Sequence, residues 1–118
     1  VSDTVKITVR DENNVDKFID APCIGRFGPI CVTWRLAPNN GRWYSLTHVE
    51  TGRRFGPLFG DGLLALECCE AMWRHFPAEF WIPPESGTDL KRKAEAIAFA
   101  EPWLAQDAAT MLAEAEGW

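Results

Sequence analysis

Apolar and polar residues alternate with a period of two through the first half of the chain and recur at helical spacing through the second. In Thr4–Arg10, Val5, Ile7 and Val9 fall on one face and Lys6, Thr8 and Arg10 on the other, the pattern of a half-buried strand. Asp11–Asp20 is polar and turn-rich, tied to a core by Phe18 and Ile19, and Pro22, Gly25, Gly28 and Pro29 then mark a loop. Ile30–Leu36 alternates again. Pro38-Asn39-Asn40-Gly41 has the turn chemistry that closes a hairpin, and Arg42–Glu50 is the expected partner strand. Thr51-Gly52 reads as a second tight turn before a short strand at Arg53–Leu58. Connections this short make antiparallel pairs, not parallel crossovers.

Asp61 is a candidate N-cap for a helix over Gly62–Phe76, where Leu63, Leu66, Trp73 and Phe76, flanked by Cys69 and Met72, form an apolar stripe that Pro77 ends. Ala78–Gly87 is too proline-rich for a helix and too apolar for a free linker, so it is expected to wrap over the core. Within Thr88–Trp118, Leu90, Ile97, Leu104, Met111 and Trp118 fall seven apart, with Ala94, Ala108 and Ala115 between them. Proline costs about 3 kcal/mol inside a helix and nothing at a first turn. Pro102 therefore predicts two consecutive helices, or one kinked helix, broken near Glu101. The fold class that follows is α+β, one domain over residues 1–118. A three- to four-stranded antiparallel meander in residues 4–58 is covered on one face by helix 62–76, with two C-terminal helices in residues 88–117.

A chain of 118 residues, 47% hydrophobic and 25% charged, is an ordinary length and composition for one soluble domain. Six tryptophans and seven phenylalanines exceed what a core of this size needs, which leaves aromatic surface for a partner. The net charge of −5 is segregated: residues 1–60 carry eight Lys/Arg against six Asp/Glu, residues 61–118 four against eleven. No run approaches the ~18 apolar residues of a membrane span, so the expectation is a soluble cytoplasmic protein with no membrane partner. Cys23, Cys31, Cys68 and Cys69 match no zinc spacing and read as small core residues in a reducing compartment, a Cys23–Cys31 disulfide being the alternative.

Candidate chemistry is sparse. Cys31 and His48 on paired strands form a formal cysteine–histidine couple, yet no nucleophile signature surrounds either, and a strand histidine satisfied by a neighbouring hydroxyl is the better reading. His75 at a helix end suits the helix dipole. Asp11-Glu12 and the C-terminal acids read as solvated faces. Gly56–Gly62 is glycine-rich before a helix but lacks the Lys-Ser/Thr of a phosphate loop. The expectation is no catalytic residue, no metal ligand and no cofactor. Recognition is the stronger reading: Arg35, Arg42, Arg53 and Arg54 with Trp43 and Tyr44 form a basic, aromatic hairpin suited to phosphates and bases or to a protein. Glu95, Glu101, Asp107, Glu114 and Glu116 form an acidic helical face.

The run Trp43-Tyr44-Ser45-Leu46-Thr47-His48-Val49-Glu50-Thr51-Gly52, followed by a short strand and an Ala/Leu-rich helix, resembles small uncharacterised accessory proteins of phages and integrative elements. Their motif reads aromatic-x-(Val/Leu)-Thr-His-x-x-Thr-Gly, and the resemblance covers Arg42–Phe76. It implies no set activity or catalytic residue, and makes a mobile-element accessory protein, such as an anti-CRISPR-like inhibitor of host defence, the expectation. The leading function is thus a non-enzymatic binding protein that occupies a macromolecular surface, with a protein as the partner, nucleic acid as an alternative through the hairpin, and a homodimer through residues 90–118. A small cysteine/histidine enzyme is the remaining class.

Overall fold

The computed structural model describes residues 4–10, 12–36, 41–82 and 90–116. Five strands, β1 (Thr4–Arg10), β2 (Asp16–Phe27), β3 (Ile30–Leu36), β4 (Arg42–His48) and β5 (Arg54–Phe59), form one antiparallel sheet in sequence order. The helices are α1 (Gly62–His75) and α2 (Leu90–Glu116), with a short 3₁₀ turn at Ala78–Trp81 between them. The architecture is α+β, and no helix among the described residues is long and apolar enough to cross a membrane.

The sheet has one strand more than the hydrophobic pattern announces. β2 was hidden by Pro22 and Gly25, which read as a loop, and by the exposure of every residue from Asp16 to Asp20. Its first half pairs with β1, up to Thr4↔Pro22, and its second half with β3, from Cys23↔Thr33. Pro22 stands where the partner changes, beside the bulge between Cys23 and Gly25, a position where a strand tolerates the missing N–H. The β3–β4 turn at 37–40 lies outside the described residues.

Register sorts the residues of β3 and β4 onto two faces. Ile30, Val32 and Leu46 meet Phe59, Leu64, Ala65, Cys68, Cys69 and Met72 in the main core. The other face carries Cys31, Thr33 and Thr47, all buried, with the two threonine hydroxyls hydrogen-bonded at 3.0 Å. The β1–β2 hairpin also buries Val5, Ile7 and Ala21. The sheet curls until Thr8 N donates to Gly52 O at 2.8 Å and Thr8 Oγ1 to Thr51 O at 3.1 Å, which brings β1 onto the turn between β4 and β5.

Asp61 caps α1 as expected, accepting from Leu63 N at 2.8 Å and Leu64 N at 3.2 Å. The buried stripe is rotated from the expected one: it runs Leu64, Ala65, Cys68, Cys69, Met72, while Leu63 is 68% exposed and Trp73 is partly exposed. The C-terminal section is one continuous helix, not two, with Pro102 inside it. Pro102 and Ala98, whose carbonyl loses its usual donor, are both exposed, so solvent takes over that bond. Of the seven-residue seam, Leu104 faces the core, Ile97, Ala94 and Ala108 do not, and the side chains of Leu90, Met111, Ala115 and Trp118 lie outside the described residues. α2 buries Ala96, Ala100 and Asp107, with Phe99, Trp103 and Leu104 partly buried, whereas Ile97, Ala94 and Ala108 are exposed. Small alanines let the helix approach β5 and α1 closely, which outweighs the larger side chains in choosing the inward face.

Gly52 holds φ +68°, and a Cβ there falls 2.5 Å from the Lys6 carbonyl oxygen. Gly52→Ala is expected to cost roughly 2–3 kcal/mol in urea unfolding, from strain and from displacement of β1. An unchanged midpoint contradicts the closure of β1 on this turn.

Candidate functional site

Register decides first what the two histidines and four cysteines can do. His48 lies opposite Ile30, and Cys31 opposite Thr47, so imidazole and thiol point to opposite faces of the sheet. The cysteine–histidine couple is therefore broken by geometry. All four cysteines are free, which removes the Cys23–Cys31 disulfide, and Cys31, Cys68 and Cys69 are fully buried. Burial pushes the Cys31 thiol from 9.0 up to about 12, with the Cys23 thiol beside it adding to the rise and the Arg26 guanidinium opposing it. Burial alone lifts Cys68 to about 12, and burial with the neighbouring thiols raises Cys69 further. Such thiols are poor nucleophiles. Among the described residues, no group of three or more His, Cys, Asp or Glu side chains is placed to hold a metal ion.

His48 is buried and doubly bonded. Nε2 lies 2.7 Å from the Trp81 carbonyl oxygen, and Nδ1 lies 3.1 Å from Thr51 Oγ1 and 3.4 Å from Thr51 N. A carbonyl only accepts, so Nε2 carries the proton and Nδ1 receives the Thr51 donors. The Thr51 hydroxyl also accepts from Arg53 N at 3.2 Å. Thr47, His48, Thr51 and Gly52, the fixed letters of the Thr-His-x-x-Thr-Gly motif, thus all serve the scaffold. The sequence anticipated a hydroxyl partner for His48. The Trp81 carbonyl, 33 residues away, had no local signal.

The glycine-rich turn before α1 holds an anion after all, supplied by the chain itself. Asp107 of α2, only 5% exposed, accepts from Gly60 N at 3.0 Å and from Asp61 N at 2.9 Å. This corrects Asp107 as a member of an exposed acidic face: it is a structural carboxylate seated on two backbone donors at a strand–helix junction. Glu95 and Glu101 are exposed on α2, and the side chains of Glu114 and Glu116 lie outside the described residues.

The six residues of the basic hairpin do not form one patch. Arg35 and Trp43 pair on one face near the end of the β3–β4 hairpin, while Trp34, Tyr44 and Arg42 share the other. The Arg42 guanidinium lies 4.1 Å above the Trp34 ring centre, a cation–π contact. Leu36 is 69% and Trp43 36% exposed, and the Tyr44 ring is half-buried against Gly62 at the start of α1. Arg54 pairs with Thr47, five positions from Arg42, so Arg53 and Arg54 sit roughly 16 Å down the sheet. The described end of the hairpin is Trp34, Arg35, Leu36, Arg42, Trp43 and Tyr44; Trp34 and Leu36 were absent from the expected set.

Asp107→Ala is expected to cost roughly 2–4 kcal/mol in urea unfolding, because two backbone donors lose their acceptor, and added acetate should restore part of it. No loss contradicts the clamp. The raised cysteines favour the protonated folded state. Their contribution is full below about pH 9 and is lost as pH rises from about 9 toward 12, so the urea midpoint should fall across that window in wild type and fall less in Cys68→Ala. Compared with known proteins, the chain matches no family model, no curated protein and no solved structure.

Proposed function

We propose that this chain is a non-enzymatic binding protein, a mobile-element accessory or inhibitor, that acts by occupying the surface of a protein partner with the end of its β3–β4 hairpin. The observation that carries the reading is the composition and exposure of that end. Two arginines and three aromatic rings stand on both faces of a two-stranded ribbon, with Leu36 exposed beside them. Arginine, tryptophan and tyrosine dominate the energetic centres of protein interfaces. Stacking of Arg42 on Trp34 holds the guanidinium in place before a partner arrives, which lowers the entropy lost on binding. The mobile-element setting rests on the resemblance of Trp43–Gly52 alone.

The second reading is a nucleic-acid regulator using the same tip. It is favoured by the pairing of guanidinium groups with stacking rings and opposed by the net charge of −5.

The test is retention of host-lysate components on immobilised wild type, Arg42→Glu and Trp43→Ala, each with and without nuclease. Nuclease-resistant retention of a defined protein, reduced at least tenfold by either substitution, is expected. Retention abolished by nuclease transfers the tip to the nucleic-acid reading, and retention indifferent to both substitutions overturns the tip as the site.

A further inference from the structure

Where the end of α1 meets α2 lies an open groove of about 490 Å³, lined by His75, Phe76, Glu95, Ala98 and Phe99. Its walls are aromatic. Phe76 and Phe99 meet at 5.4 Å and 61°, and His75 stacks on Phe99 at 4.6 Å and 22° while remaining exposed. Ring surfaces of this kind take a nucleobase by stacking. Apart from the imidazole, the polar groups that the lining residues offer are acceptors. Glu95 is exposed and makes no ion pair among the described residues. Ala98 adds a carbonyl with no helical donor, because the residue four positions on is Pro102, which has no N–H. Glu95 and Ala98 stand three apart, neighbours on one face of α2. Two carboxylate oxygens beside one unserved carbonyl suit a ligand edge made of adjacent donors.

The surroundings of the groove are cationic. Lys91 is exposed one turn before Glu95 on the same face of α2, about 6 Å along the axis. A lysine four residues ahead of a glutamate is the weaker order for a pair within a helix, so Lys91 stays available to an anion. Arg74, beside His75, is exposed and bridged to Glu70. Arg92 donates to the Phe80 and Ile82 carbonyls, and Phe80 stacks on Phe76 at 4.0 Å, which fixes a guanidinium next to the aromatic wall. Lys93 adds a further base to the start of α2. The ligand that answers this arrangement is flat, carries donors on one edge and ends in an anion.

We propose that the groove binds a free guanine mononucleotide, guanosine 5′-monophosphate (GMP) being the simplest. The base lies on the rings, its N1–H and amino group donate to the Glu95 carboxylate, and the second amino hydrogen meets the Ala98 carbonyl. The phosphate lies toward Lys91. Among the common bases guanine alone puts two adjacent donors on its Watson–Crick edge, whereas adenine, cytosine and uracil each turn an acceptor toward a carboxylate placed there. The volume is that of a site for one such small molecule.

This goes beyond the proposed binding function and fails separately from it. Tyr44 of the hairpin packs at the start of α1 and the groove lies at its end, so Arg42→Glu and Trp43→Ala leave the groove intact. Isothermal titration of the full chain with GMP should give a Kd of about 10–500 µM, the range of a weak site. AMP, which turns an acceptor to Glu95, should bind at least about tenfold more weakly. Inosine 5′-monophosphate, which lacks the amino group, should bind about fivefold more weakly. Guanosine should also bind about fivefold more weakly than GMP, a difference that shrinks with salt and vanishes in Lys91→Ala. Glu95→Gln, at an exposed position and with wild-type circular dichroism, should weaken GMP at least about tenfold. Pro102→Ala restores an N–H to the Ala98 carbonyl and should weaken GMP while leaving inosine 5′-monophosphate unchanged. No binding at millimolar GMP, AMP binding as tightly as GMP, or a Glu95→Gln protein that binds like wild type overturns the proposal.

Discussion

His48 cannot serve both as a bridge and as a base. Its Nε2 must keep a proton to meet the Trp81 carbonyl, and its Nδ1 is occupied by Thr51, so both nitrogens are spent on holding the chain together. The bridge reaches from the last residue of β4 to the turn that follows α1, and thereby fixes Trp81 against the main core. The same Thr51-Gly52 turn receives Thr8, so one short segment fastens β1 on one side and, through His48, the post-helical turn on the other. Loss of the imidazole strands a carbonyl in an apolar setting, where an unpaired polar group costs roughly 1–3 kcal/mol. The Thr47–Gly52 segment thus describes how the fold closes.

Asp107 does for the helices what His48 does for the sheet. A glycine-rich turn with two backbone N–H groups facing one point is an anion seat, and here α2 fills it with its own carboxylate. With Asp61 capping α1 immediately beyond, two acids in succession organise one junction. His48 and Asp107 are therefore both engaged in holding the frame together.

Alternation made β1 and β3 legible, the turns before them made β4 and β5 legible, and the Asp61 cap made the start of α1 legible, because each depends on residues close in sequence. β2 was not legible. Its first five residues are exposed on both faces and show no burial alternation, and Pro22 argues against a strand unless its site at a change of partner is known. The rotation of α2 was hidden for a different reason: Ala96 and Ala100 win the buried face by being small, a preference that a count of large apolar residues reverses. Asp107 looked like any other acid in a run of acids, and only the fold reveals the two donors beneath it. Of the candidate site, Arg35, Arg42, Trp43 and Tyr44 were found from composition, whereas the split of their side chains onto two faces required the register.

The central claim is that the fixed histidine of the motif is a structural bridge in a single tautomer. Long-range ¹H–¹⁵N correlation of the imidazole measures this directly. The account predicts a protonated Nε2 with a slowly exchanging proton and an unprotonated Nδ1 for His48 at neutral pH. A protonated Nδ1 with a bare Nε2, or two averaged nitrogens exchanging freely with water, contradicts it.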